Sequence, residues 1–121
     1  MKVLTTTLLL CLLPLAAPAG NDVPTEIDYL LRSVGGSDCV FIRNNKRHNS
    51  REAEEHLRMK YKLGKRYAQT GEKFIERLAS KSSFSKKLYY VECSGEKKIP
   101  SGDWLMKRLS EYRSRPDNIR D

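Results

Sequence analysis

The sequence predicts an α+β domain in which a small antiparallel sheet of two hairpins is covered by about four helices. Three observations point there. Two β-rich segments each run into a tight-turn pair, Val40-Phe41-Ile42 before Asn44-Asn45 and Leu88-Tyr89-Tyr90-Val91-Glu92-Cys93 before Ser94-Gly95. The stretches around them carry apolar residues at helical spacing. Cys39 and Cys93 each lie in or beside a strand, so a disulfide between them would tie the two hairpins into one sheet.

Ile27, Leu30, Leu31 and Val34 form an i, i+3, i+4, i+7 stripe that Gly35-Gly36 stops, which predicts a short first helix behind Pro24. The hairpin at Asn44-Asn45 returns through Lys46 to His48. Asn49 or Ser50 then caps a long helix that reaches about Tyr67, with Glu52 three residues after Asn49 as in a capping box and Gly64 weakening the last turn. Thr70 caps a third helix with Phe74, Ile75, Leu78 and Ala79 on its buried side. Ser80 to Ser85 lacks a hydrophobic period and reads as a loop. Lys98-Ile99 pairs back on the second hairpin before Pro100 ends the ladder, and Ser101 caps a final helix through Trp104, Leu105, Met106, Leu109 and Tyr112.

The chain divides into a signal peptide over 1–19, a short linker over 20–23, one domain over 24–113 and a polar tail over 114–121. Lys2, the apolar run Leu8 to Leu15 and the small-x-small site Ala17-Pro18-Ala19 have the layout of a cleaved leader. A membrane anchor would need about 20 mostly apolar residues, whereas Thr5, Thr6, Thr7, Pro14 and Pro18 interrupt this run. A lipid anchor at Cys11 would call for small residues before the cysteine, and Leu8-Leu9-Leu10 stand there. The expected location is therefore periplasmic or secreted. Of the three cysteines, Cys39 and Cys93 remain after cleavage, and an even count in a small exported domain argues for one disulfide. Two free thiols or half a metal site are the alternatives, although there is no Cys-x-x-Cys and only two histidines are present.

The long helix carries an anomaly. Placing Ala53, Leu57 and Gly64 on one face puts His56 and Lys60 on the same face, where core residues are expected. A boundary histidine and a snorkelling lysine explain this structurally; a polar site between helix and sheet explains it functionally. The loop adds Lys81, Ser82, Ser83 and Ser85, and Ser83 with Lys86 fits a Ser-x-x-Lys spacing whose companion motifs are missing. No metal set, dinucleotide fingerprint or phosphate-binding loop is present, so no cofactor is expected.

The formal net charge is +8, of which the leader contributes only Lys2. Arg58, Lys60, Lys62, Lys65 and Arg66 line one helix, and Lys86, Lys87, Lys97 and Lys98 lie near the second hairpin. Export removes nucleic acid from the partners such charge suggests and leaves an anionic envelope component or an acidic periplasmic protein. A non-enzymatic binding module is the leading expectation. The alternative is a small hydrolase or transferase using His56, Lys60 and a loop serine.

From Cys39-Val40-Phe41-Ile42-Arg43-Asn44 through His56-Leu57-Arg58-Met59-Lys60, Phe74-Ile75, Ser82-Ser83-x-Ser85 with Tyr89, to Ser101-Gly102-Asp103-Trp104-Leu105, the chain resembles the YfeK-like family of small secreted bacterial proteins, a domain of unknown function. The resemblance implies a Gram-negative periplasmic setting and no activity. It draws attention to Cys39, His56, Lys60, Ser82, Ser83, Ser85, Tyr89 and Trp104. Where relatives have Gly and Pro before the tyrosine, this chain has Lys86-Lys87-Leu88, which adds positive charge to the loop. The expected binding residues are therefore His56, Lys60, Lys81, Ser82, Ser83, Ser85 and Tyr89.

Overall fold

The computed structural model describes residues 22–116. The predicted leader and most of the predicted tail lie outside them.

Helix α1 (Val23–Gly35) has Pro24 in its first turn and buries Ile27, Leu30, Leu31 and Val34, as the stripe requires. Strands β1 (Val40–Arg43) and β2 (Lys46–His48) come next, joined by Asn44 and Asn45 at φ 50° and 65°. Two successive left-handed residues give the two-residue turn whose twist matches an antiparallel pair, and asparagine tolerates that conformation. Helix α2 (Ser50–Gly64) is capped by the Asn49 side chain, which accepts from Glu52 N at 2.8 Å. It gives way to a 3-10 turn over Lys65–Tyr67. Gly64 lets Leu78 pack closely against the end of the helix, since a Cβ there would lie 3.0 Å from Leu78 Cδ2.

Thr70 caps α3 (Gly71–Phe74) through Lys73 N. The predicted third helix is not uniform, since Ile75–Ala79 widen into a π-helical turn. The Ser80 hydroxyl donates to Ile75 O at 2.6 Å, tying the end of the π turn back to its first residue. Strands β3 (Tyr90–Glu92) and β4 (Ile99–Pro100) come after it, and α4 (Ser101–Ser114) closes the fold.

The four strands lie in the order β2-β1-β3-β4, antiparallel throughout. At the centre Val40 faces Glu92, Phe41 faces Val91 and Ile42 faces Tyr90. Extending that register by one residue brings Cys39 opposite Cys93, and the two form a disulfide with Cα atoms 4.3 Å apart. That spacing is what a directly opposed antiparallel pair offers. Phe41 and Val91 point inward, while Val40, Ile42, Tyr90 and Glu92 are half-buried on the outer face.

Helices α2 and α4 pack on the inner face, and α1 lies behind them, contacting both. Phe41 meets Trp104 edge-on at 5.9 Å between ring centroids, and Tyr61 meets Phe74 at 5.7 Å. The core is Ile27, Leu30, Leu31, Val34, Phe74, Ile75, Val91, Leu105 and Leu109 with their neighbours, each large side chain contributing about 1.5–3 kcal/mol of burial. Among the described residues no helix is long and apolar enough to cross a membrane.

Two sequence expectations need correction. The second hairpin pairs through Ile99 and Pro100 rather than Lys98 and Ile99: Pro100 ends the ladder as its last paired residue, opposite Tyr90, and occupies the cap position of the helix that begins immediately after it. Ser101 is therefore the first helical residue rather than the cap, and its buried hydroxyl has no partner among the described residues. At the C-terminus, α4 runs to Ser114, and Arg115 continues the packing: its guanidinium lies 4.8 Å from the Tyr29 ring centroid and donates to the Tyr29 hydroxyl at 2.8 Å.

Candidate functional site

The pairing of β1 with β3 carries the end of the first hairpin to the side of α2, where the loop after the π turn also arrives. These three pieces enclose an open groove of about 1000 Å³. His56, Lys60, Lys81, Ser82, Ser83 and Tyr89 all line it. Ser85 stands at its edge, its hydroxyl donating to Asn44 Oδ1 at 2.6 Å and so tying the loop to the β1–β2 turn. The residues singled out from the sequence thus come together in space.

Lys60 holds the centre. Its ammonium donates to the Tyr89 hydroxyl and to Lys81 O, both at 3.1 Å. Both acceptors are neutral, which leaves one of three N–H donors and a full positive charge for a ligand. Burial, with the charges of Arg43 and Lys86 adding to it, lowers the Lys60 pKa from its usual 10.5 to about 8. The imidazole of His56 sits edge-on to Tyr89 with ring centroids 6.1 Å apart. Burial first, then Arg43, Lys60 and His48, lower its pKa to about 4, so it is neutral at pH 7. Burial pushes the Tyr89 hydroxyl up, against the opposing charge of Arg43.

The loop is tighter than its composition suggests. Ser82 N donates to Lys87 O, Lys86 N to Ser82 O and Tyr89 N to Ser80 O, and Lys81 bridges Leu88. Ser82 is buried and its hydroxyl accepts from Ser85 N at 3.2 Å. Ser83 is exposed. Lys86 takes φ 63°, the left-handed region that glycine enters freely, and so closes the turn at a cost of about 1 kcal/mol. Among the described residues no hydrogen bond joins His56 or Lys60 to a serine hydroxyl, and no group of three or more His, Cys, Asp and Glu is placed to hold a metal.

Arg43, at the end of β1, is a groove residue that sequence reasoning passed over, as are Arg77 and Glu76 on the π turn. Among the described residues no carboxylate lies within 4.0 Å of the charged groups of Arg43, Lys60, Lys81 or Lys86. The expected basic helix divides differently. Arg58 leaves it, pairing with Glu54 at 2.7 Å and with Asp28 of α1 at 3.0 Å. Lys65 and Arg66 lie against the Tyr61 and Tyr67 rings, and Lys98 lies against Tyr90 on β3.

The comparisons with known proteins agree with the resemblance read from the residues. Residues 21–113 match the model of a family described as "Family of unknown function (DUF5329)". The chain is 35% identical over 82 residues to "Uncharacterized protein YfeK" of Salmonella typhimurium (strain LT2), covering 67% of this chain and 68% of that protein. No solved structure matches the chain. The order of segments from Cys39 to Leu105 and the family match over nearly all the described fold place this chain in DUF5329, the family to which it belongs.

Proposed function

We propose that this protein is a periplasmic binding module whose groove takes an anionic ligand of the cell envelope. The observation that carries the reading is the set Arg43, Lys60, Lys81 and Lys86, four cations around one groove with no carboxylate within 4.0 Å of them among the described residues. Burial first, and then the repulsion of Arg43 and Lys86, disfavours the charged form of Lys60. A bound anion removes that repulsion. The exposed hydroxyl of Ser83 supplies a further donor.

The test is retention of the purified protein on immobilised polyphosphate at low and high salt. We expect binding that salt weakens, and a loss of about tenfold or more for Arg43→Gln with Lys60→Gln. Lys97→Gln with Lys98→Gln removes the same charge at the far edge of the sheet and is expected to retain binding. Equal losses in the two pairs would reduce the interaction to net charge.

A second reading, a small hydrolase or transferase using His56, Lys60 and a loop serine, draws on the two lowered pKa values in the groove. The Ser82 and Ser85 hydroxyls are engaged within the fold, which makes Ser83 the candidate nucleophile. Labelling of Ser83 by a serine-directed phosphonate, abolished by His56→Ala, would favour it; an unlabelled protein would remove it.

A further inference from the structure

The groove sets exposed apolar side chains beside its cations. Phe84, at the tip of the turn between Ser82 and Lys87, is 99% exposed, and Leu63 on α2 is 78% exposed. These are the two most exposed large apolar side chains among the described residues, and both line the groove, as do Met59 at 52% and Tyr67 at 45%. Met59 and Leu63 are one helical turn apart, off the stripe that α2 buries, so their exposure is not a by-product of core packing. The fully exposed ring of Phe84 is flanked in sequence by Lys81 and Lys86, cations of the same groove.

We propose that this face docks on an anionic bilayer, with lipid headgroup phosphate on the cations and the Phe84 and Leu63 side chains in the acyl boundary. The inference rests on the anion-binding reading and adds the class of anion. A soluble polyanion satisfies the charges and leaves the apolar rim in water. A membrane surface satisfies both, because apolar burial and attraction to anionic headgroups combine at the same depth. The long stems of Lys81 and Lys86 can lie along the interface while their ammonium groups reach the phosphates.

Flotation of the purified protein with vesicles of phosphatidylglycerol in phosphatidylcholine, against vesicles of phosphatidylcholine alone, tests the proposal. We expect flotation only with the anionic vesicles. Phe84→Ser with Leu63→Ser keeps every charge and should lower vesicle affinity about tenfold or more. The same variant should hold polyphosphate as the parent does and, since both side chains are exposed, unfold at the parent's temperature. Vesicle binding unchanged in this variant would overturn the proposal, as would polyphosphate binding without any vesicle binding; either result directs the groove to a soluble anion or an acidic protein. Absence of salt-sensitive binding to both probes would instead remove the anion-binding reading beneath it.

Discussion

The ammonium of Lys60 on α2 donates to the hydroxyl of Tyr89 beside β3 at 3.1 Å, joining helix to sheet through a charge that has only neutral acceptors. The energetic consequence is measurable. Folded Lys60 gives up its proton near pH 8, whereas the unfolded side chain keeps it to about 10.5, so the unfolded chain holds more protons across that window. Stability carried by this residue therefore rises with pH from about 8 to about 10.5. Lys60→Met should lack this rise. Urea unfolding of both proteins at several pH values in that range checks it, and a difference between them that stays constant with pH would contradict the lowered pKa.

His56 gives the acid counterpart. Its folded pKa of about 4 lies below the ordinary 6.5, so the unfolded chain binds the extra proton first as pH falls between those values. The neutral ring's contribution is complete above 6.5 and is lost toward 4. An NMR titration of the imidazole protons should show a neutral ring at pH 6, and midpoint behaviour near 6.5 would mean that the ring is solvated rather than held against Tyr89.

The Cys39–Cys93 bridge spans 54 residues and staples the central strand pair. Closing a loop of that length restricts the unfolded chain and stabilises by about 4 kcal/mol on chain-entropy grounds. Cys39→Ala with Cys93→Ala should lose most of that in urea unfolding, with the sheet still formed at low denaturant. Two alkylated thiols in the unreduced protein, read by intact mass, would show the bond unformed.

A second cross-link is electrostatic. Arg113 on α4 donates to both carboxylate oxygens of Glu26 on α1, at 2.9 and 2.7 Å, and also to Glu72 at the start of α3. Glu26 is 2% exposed, and a Cβ on Gly71 would come within 2.6 Å of its Oε1, so glycine makes room for the carboxylate. Those hydrogen bonds raise the Arg113 pKa, and Arg113 in turn lowers that of Glu72. Arg113→Met strands a buried carboxylate and should cost about 3 kcal/mol or more. Adding Glu26→Leu should recover part of the loss, and a double variant no more stable than Arg113→Met would mean that the pair is not coupled.

Local chemistry made most of this fold legible. Asn44-Asn45 specifies its own turn, Asn49 and Thr70 each cap the helix that starts beside them, and β-branched and aromatic runs mark the central strands. The groove was half visible, because His56 and Lys60 break the apolar stripe of α2 and so announce a polar boundary. Arg43 and the pairing of Glu26 with Arg113 depend on contacts between elements far apart in sequence, which periodicity does not encode. Glu26 stands next to Ile27 and one turn before Leu30, a position that is core only once α4 delivers a guanidinium to it. Ser101 misled for a similar reason: a serine after proline has the composition of a cap, but pairing of Pro100 with Tyr90 moves the start of the helix by one residue.

The location of the anion site is the claim on which the proposed function rests, and amide NMR spectra of the protein titrated with tripolyphosphate test it most directly. Binding in the groove predicts shifts concentrated at Arg43, Lys60, Lys81, Ser82, Ser83 and Lys86. Shifts spread over all the lysines, or centred on Lys97 and Lys98 at the opposite edge of the sheet, would contradict it.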